Sequence, residues 1–250
     1  MHMIENSCLE KFLHTFQTFE TTSTALYLVC LCLAMHPECQ DKLYKELINI
    51  FPSPAESSNK AGNSDVITEE EQVSRDGNGS LVYTDITLEQ LERMKYTEMV
   101  INEAMRLFAP VPMVLRCASN EFQLRNNITI PKGTQIGIDI YNMQRRKDIW
   151  GPLAHTFNPD KHFGASTKPH PFAFVPFTKG LRMCIGYRYA IMLMKVMLAK
   201  IFRNFRITAY TNVNMENIKI KGTISLKLVE YPLCQLQQRN LLSTKTNNKY

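Results

Sequence analysis

From Leu9 the apolar residues Leu9, Phe12, Leu13, Phe16 and Phe19 follow the i, i+3, i+4, i+7 spacing of a helix face and run into an unbroken apolar stretch from Ala25 to Met35. The pattern predicts one long, largely buried helix. At its centre Gln17, Thr18, Glu20, Thr21, Thr22, Ser23 and Thr24 form a polar run, poor in helix propensity and costly to bury unless a function uses it. Pro37, just after His36, suits the first turn of a second helix, which carries Glu38/Lys42 and Asp41/Lys45 pairs at i+4 and ends before Pro52.

Residues 52–86 are dominated by Ser, Asn, Gly and acidic side chains, which predicts an exposed, disordered insertion between 1–51 and 87–250. Thr87-x-x-Gln90 is a capping-box signal for a helix from Leu88, with apolar spacing through Met94, Met99, Val100, Met105 and Leu107. One helix, or two with a kink near Lys95, satisfies that spacing. After Pro112 the period becomes two, clearest where Ile136, Ile138 and Ile140 alternate with Gln135, Gly137 and Asp139. A turn at Ile130-Pro131-Lys132-Gly133 joins this strand to the Ile128–Ile130 run, predicting a small sheet. From Trp150 to Met183 Pro, Gly, Phe and His abound without periodicity, the mark of a long working loop. An apolar helix from about Tyr187 to Phe205 follows, then strand-like runs near Ile218 to Val229. The elements sum to a mainly α chain with small β-sheets, an α+β class.

With 250 residues, 44% of them apolar, the chain can bury a sizeable core, which excludes disorder as the whole answer. Ten glycines and twelve prolines without a period exclude a fibrous protein. The stretch from Ala25 to Met35 is too short to cross a bilayer, and Met1 to Glu10 does not read as a signal peptide. Seven scattered cysteines with no CxxC pair argue against a disulfide framework or a zinc ribbon and favour a reducing compartment. The net charge of +6 is spread along the chain, so nucleic acid is not indicated.

The sharpest local pattern runs from Pro176 to Gly186, Pro-Phe-Thr-Lys-Gly-Leu-Arg-Met-Cys-Ile-Gly, directly before the last helix. It sets Cys184 at a helix N-terminus, where backbone N–H groups favour negative charge, with the cation Arg182 beside it. Gly180 and Gly186 permit tight turns and close approach of a flat ligand, beneath which Phe177 could pack. A buried free cysteine in a glycine loop is the ordinary reading of such a residue. The complete spacing Phe-x-x-Gly-x-Arg-x-Cys-x-Gly, followed by Ala190, outweighs it.

That spacing resembles the haem-binding loop of the cytochrome P450 family, whose cysteine thiolate is the axial ligand of the iron. The resemblance extends, in order, from the family's long central helix to its C-terminus, which implies the C-terminal part of the cytochrome P450 fold. Glu103-Ala-Met-Arg106 resembles the ExxR motif, with both charges on one helix face where they can brace the cysteine loop. Arg116 and Arg182 fall where the family reaches the haem propionates. Val111 to Leu115 either line a substrate pocket or pack as ordinary core. Phe16-Gln-Thr-Phe-Glu20-Thr21-Thr22 is similar to the oxygen-activation segment, in which Glu20 and Thr21 would pass protons toward dioxygen. Gln17 and Thr18 stand where the family has small residues. In Phe157-Asn-Pro-Asp-Lys-His-Phe163, Lys161 or His162 replaces the arginine that usually joins the Glu–Arg pair.

The wording around these motifs is most similar to the family-4-like branch of insects. The resemblance implies a haem-thiolate monooxygenase with haem b on Cys184 and a small apolar organic substrate. Dioxygen and an NADPH-cytochrome P450 reductase-type flavoprotein would be its co-reactant and partner, with Lys179, Arg188 and Lys195 flanking the cysteine side. It also implies the cytoplasmic side of the endoplasmic reticulum, or microsomal, membrane. A peroxide-handling or isomerising relative, or a non-catalytic fragment, are the other readings.

Overall fold

A computed structural model describes residues 2–52, 86–125, 127–164, 166, 170–209, 218–222 and 225–239, with side chains from residue 19 onward. The predicted insertion falls almost wholly outside the described residues. Helix α1 spans His2–Met35, starting earlier than the apolar spacing marks, and runs unbroken through the polar segment. Its end at His36 is fixed locally, where Nδ1 of that histidine meets the Cys32 carbonyl at 2.8 Å. Pro37, which donates no hydrogen bond, opens α2, Pro37–Ile50.

Thr87 and Gln90 form both hydrogen bonds of the predicted capping box and start α3, Leu88–Arg93. The chain breaks at Met94 and restarts as α4, Lys95–Leu107, so the two-helix reading holds. Glu46 of α2 accepts from the backbone N–H groups of Tyr96 and Thr97 and from the Thr97 hydroxyl. A carboxylate thus satisfies donors that a helix start leaves unpaired and fixes α4 against α2. The last long helix, α8, is Tyr187–Asn204 and leads directly into β5, Phe205–Ala209. Between α4 and α8 lie short helices α5 (Ile140–Met143), α6 (Lys147–Trp150) and α7 (Pro159–Phe163) and a 3-10 turn at Gly180–Arg182.

The core gathers where α1, α2, α4 and α8 meet. Leu28, Val29, Cys32 and Leu33 of α1 pack with Leu43 and Leu47 of α2, Val100, Ile101 and Met105 of α4, and Leu198 and Phe202 of α8. Burial of such side chains contributes about 1.5–3 kcal/mol each. Gln40, fully buried, bonds the Leu33 carbonyl and both backbone groups of Ile207, which joins α1, α2 and β5 at one point. Among the described residues no single helix is long and apolar enough to cross a membrane.

Four two-stranded antiparallel sheets are present among the described residues. β1 (Met113–Cys117) pairs with β4 (Gln135–Asp139), setting Arg116 opposite Ile136. β2 (Phe122–Gln123) pairs with β3 (Thr129–Ile130), β5 with β8 (Cys234–Gln238), and β6 (Ile220–Gly222) with β7 (Leu226–Leu228). Two sequence expectations are corrected. The alternating strand pairs with residues 113–117 and not with the Ile128–Ile130 run. Ile140 leaves that strand to begin α5, because the Asp139 side chain accepts the Asn142 N–H and caps a helix there.

Candidate functional site

The loop before α8 is held open by backbone conformation. Gly180 sits at φ +82°, a region that side chains disfavour, and Thr178 occupies a similar one at φ +60°. The Thr178 N–H donates to the Val175 carbonyl at 2.9 Å, and its hydroxyl donates to the Arg182 carbonyl at 3.1 Å. The Cys184 N–H closes the loop on the Phe177 carbonyl at 3.0 Å. Cys184 is exposed, two residues ahead of Gly186, the N-cap of α8. Ala190, the last residue of the sequence pattern, gives its N–H to the Gly186 carbonyl at 2.9 Å.

The residues flanking Cys184 in the chain are apolar and turned to solvent. Leu181 and Ile185 are 105% and 98% exposed, and Met183 between them is exposed as well; on β1, Met113 and Leu115 are also exposed. Neither Gly180 nor Gly186 has an atom within 4 Å of where a Cβ would stand, so the backbone there is open to a flat ligand. Arg182, in the 3-10 turn, is an exposed cation, and Arg116, on β1, is half-buried and donates to the Leu115 carbonyl beside it. Phe177 lies below, half-buried against the main core and tilted against Tyr187 at 6.2 Å. An exposed soft donor, bare apolar neighbours, open backbone at two glycines and the adjacent Arg182 guanidinium are of the kind that suits an iron porphyrin with a propionate. Among the described residues no three His, Cys, Asp or Glu side chains converge on a metal position.

Glu103 and Arg106 are fully buried and meet as a fork, with Nε to Oε2 at 2.8 Å and Nη2 to Oε1 at 3.0 Å. Arg106 also donates to the carbonyls of Gln144, Ala154 and Thr156, and stacks over Trp150 at 4.9 Å. Oε1 of Glu103 accepts in addition from the Asn158 N–H and from Nδ1 of His162, each at 2.8 Å. Of the two candidates for the third place in this network, His162 fills it. Lys161 is exposed, on the outer side of α7. Burial pushes the Glu103 carboxyl up, and the bonds from His162 and Arg106 outweigh it, so the group titrates below its ordinary value.

Glu20 is half-buried and held by the β6–β7 hairpin. Lys227 donates to Oε1 at 2.7 Å and the Ser225 hydroxyl donates to it at 2.9 Å. These bonds lower the Glu20 carboxyl against a smaller opposing effect of burial. The same hairpin gives the Leu226 N–H to the Pro110 carbonyl, which seats the Pro110-Val-Pro112 turn beside α1. Thr21 follows Glu20 in α1 and is half-buried, whereas the side chains of Gln17 and Thr18 lie outside the described residues. Lys179 and Arg188 are exposed near the loop. Lys195 is not part of that face: it is buried and donates to the Leu91 carbonyl and Glu98. Its position on α8 turns it toward α3, which spacing alone did not reveal. Lys227, Ser225, Asn158 and Gln144 were not singled out from the sequence, since each acts through a partner distant along the chain.

The loop, the Glu–Arg bracket and the order of elements agree with the comparisons. The model of the family described as Cytochrome P450 matches residues 9–234. The chain is 56% identical over 226 residues to "Probable cytochrome P450 313b1" of Drosophila melanogaster, covering 89% of this chain and 39% of that protein. It is 40% identical to "Probable cytochrome P450 313a4" (90% and 40% covered) and 33% identical to "Probable cytochrome P450 4ac1" (93% and 39%), both from the same organism. The chain spans about two fifths of the length of these curated relatives. With its cysteine loop, its buried Glu–Arg pair and these similarities, the chain belongs to the cytochrome P450 family.

Proposed function

We propose that this chain carries the cysteine-ligand side of a haem-thiolate monooxygenase that oxygenates a small apolar organic substrate. The observation that supports it most is the exposed Cys184 at the head of α8, framed by the bare Leu181 and Ile185. Cys184 would give its thiolate to the iron, Leu181 and Ile185 would lie against the macrocycle, and Arg116 and Arg182 would hold its propionates. Bound haem b supplies the redox chemistry that inserts one atom of dioxygen into a C–H bond and releases the other as water, consuming two electrons and two protons.

Glu20 is the acid of the proton relay, and its bonds to Lys227 and Ser225 favour its ionised form. Thr21 stands next to it in α1 as the hydroxyl of the relay. Glu103 and Arg106 do not touch the reacting atoms; they brace the segment from Gln144 to His162. Electrons come from a flavoprotein of the NADPH-cytochrome P450 reductase type, for which Lys179 and Arg188 supply basic charge on the cysteine side. The site of action is the cytoplasmic side of the endoplasmic reticulum membrane, which fractionation of expressing cells tests.

The deciding experiment is the carbon monoxide difference spectrum of the reduced, haem-loaded protein. A red-shifted Soret band that Cys184→Ala abolishes is the expected result. Absence of the band, or its survival in Cys184→Ala, overturns the reading. A second reading, peroxide handling without a reductase, draws on Gln17 and Thr18 in the oxygen-activation segment. Turnover of a hydroperoxide with no reductase present, and none with reductase and dioxygen, would replace the first reading by the second.

A further inference from the structure

Glu103 and Arg106 are fully buried, and beyond each other their bonds run to Gln144, Ala154, Thr156, Asn158 and His162, none of them in the cysteine loop. The hydrogen bond that reaches the segment entering the loop is made by Gln144. This residue caps α5 and is completely buried. Its Oε1 accepts the Val175 N–H at 2.8 Å. Its Nε2 donates to the Met105 carbonyl at 3.1 Å and, at a longer 3.4 Å, to that of Arg106. Its own carbonyl accepts from Nη1 of Arg106 at 3.0 Å.

We propose that Gln144 is a positioning residue that transmits the rigidity of the Glu103–Arg106 bracket to the Cys184 loop; the proposal rests on the haem-thiolate reading above. The path is short. Val175 is fixed by the Gln144 amide, its carbonyl accepts the Thr178 N–H, and Phe177, between them, accepts the Cys184 N–H. Each end of this path presents a different group to Gln144. On one side stand carbonyl oxygens at the end of α4, where a helix leaves acceptors unpaired; on the other stands a backbone N–H. An uncharged amide offers a donor and an acceptor at once, so it can satisfy both inside the protein without bringing in a charge.

The chemistry of the amide sets the test. Gln144→Met keeps the length of the side chain but leaves the Val175 N–H and the Met105 carbonyl buried and unpaired. Gln144→Glu keeps an acceptor for Val175; when protonated it also donates to the Met105 carbonyl, and when ionised it faces carbonyl oxygens. Burial disfavours its ionised form.

In the haem-loaded protein the readouts are the share of bound haem giving the red-shifted carbon monoxide band and the exchange rate of the Val175 amide hydrogen. For Gln144→Met, with folding verified by circular dichroism, we expect a lower share and exchange at Val175 about tenfold faster, the size of one lost buried hydrogen bond. For Gln144→Glu the share should approach wild type at pH about 6 and fall toward pH about 8.5 as the carboxyl ionises. A folded Gln144→Met with wild-type share and wild-type Val175 exchange overturns the proposal. If that variant does not fold, a Gln144→Glu share that equals wild type at both pH values overturns it. Should the wild-type protein give no red-shifted band, the haem-thiolate reading is what fails, and Val175 exchange alone then decides whether Gln144 holds the loop.

Discussion

His162 directs Nδ1 at Oε1 of Glu103 across 2.8 Å, and both residues are out of contact with water. An ionised carboxylate oxygen only accepts, so Nδ1 carries the proton and the 3.3 Å approach of Arg106 Nη2 to the same nitrogen is a contact between two donors. Glu103 therefore draws in three partners: the Arg106 guanidinium, the His162 imidazole and the Asn158 N–H. A histidine completes the bracket where the resemblance implies an arginine.

Replacing Glu103 by Gln leaves Arg106 buried without its counter-charge. Loss of one partner of such a pair costs about 3–5 kcal/mol, to be read by urea unfolding of wild type and Glu103→Gln near neutral pH. The folded-state titration of Glu103 lies below the ordinary value of 4.5, so its contribution is complete above that value and is lost as pH falls through the lowered one. The stability gap between the two proteins should therefore narrow as the solution is acidified below 4.5. A gap that is unchanged through that window would contradict the ion pair.

His162→Phe tests the third member separately. The ring can still face Trp150, which the imidazole meets edge-on at 5.6 Å, but the bond to the carboxylate is gone. We expect a loss of about 1.5–3 kcal/mol, the range for a hydrogen bond to a charged group, and a smaller one than for Glu103→Gln. Lys161→Met, next to it but exposed, should change stability by less than about 0.5 kcal/mol. Equal effects of the two substitutions would mean that His162 is not the partner.

How much of this arrangement a sequence can reveal depends on how far apart the partners lie. Cys184, Arg182, Gly180 and Gly186 share one short segment, so their spacing is legible at once. Glu103 and Arg106 are legible too, because i, i+3 places them on one helix face. Thr87 and Gln90 announce their cap for the same local reason. Strand pairing is different. Alternation tells which residues share a face but not which strand accepts the hydrogen bonds, so residues 135–139 could be assigned to the nearer run when they pair with 113–117. Lys195 looks like surface charge on paper, and only the packing of α8 on α3 turns it inward. The bond from Gln144 to Val175 and the capture of Glu20 by Ser225 and Lys227 join residues far apart in the chain, which no periodicity encodes.

The hold of Lys227 on Glu20 predicts a measurable titration. Lys227→Met removes the largest influence lowering the Glu20 carboxyl, so its titration should rise toward 4.5, followed by carbon-13 NMR of labelled glutamate side chains. Lys227→Arg keeps a cation within reach and should leave the titration lowered. An unshifted Glu20 in Lys227→Met would show that the hairpin does not control its charge.

The two glycines of the cysteine loop look alike in sequence and should respond differently to the same substitution. Gly180 occupies φ +82°, so Gly180→Ala costs about 1–2 kcal/mol through backbone strain even though the space around it is open. Gly186 has an ordinary backbone conformation and equally open space, so Gly186→Ala at this N-cap should cost no more than about 1 kcal/mol in the haem-free chain. If the open side of Gly186 receives the porphyrin, a methyl group there stands in the way, and haem retention after gel filtration should fall far more than stability does. Gly180→Ala should show the opposite balance, with stability reduced and haem retained by the fraction that stays folded. Unfolding curves of the haem-free proteins beside the haem-to-protein ratio of the loaded ones check both, and full haem retention in Gly186→Ala would move the macrocycle off that edge of the loop.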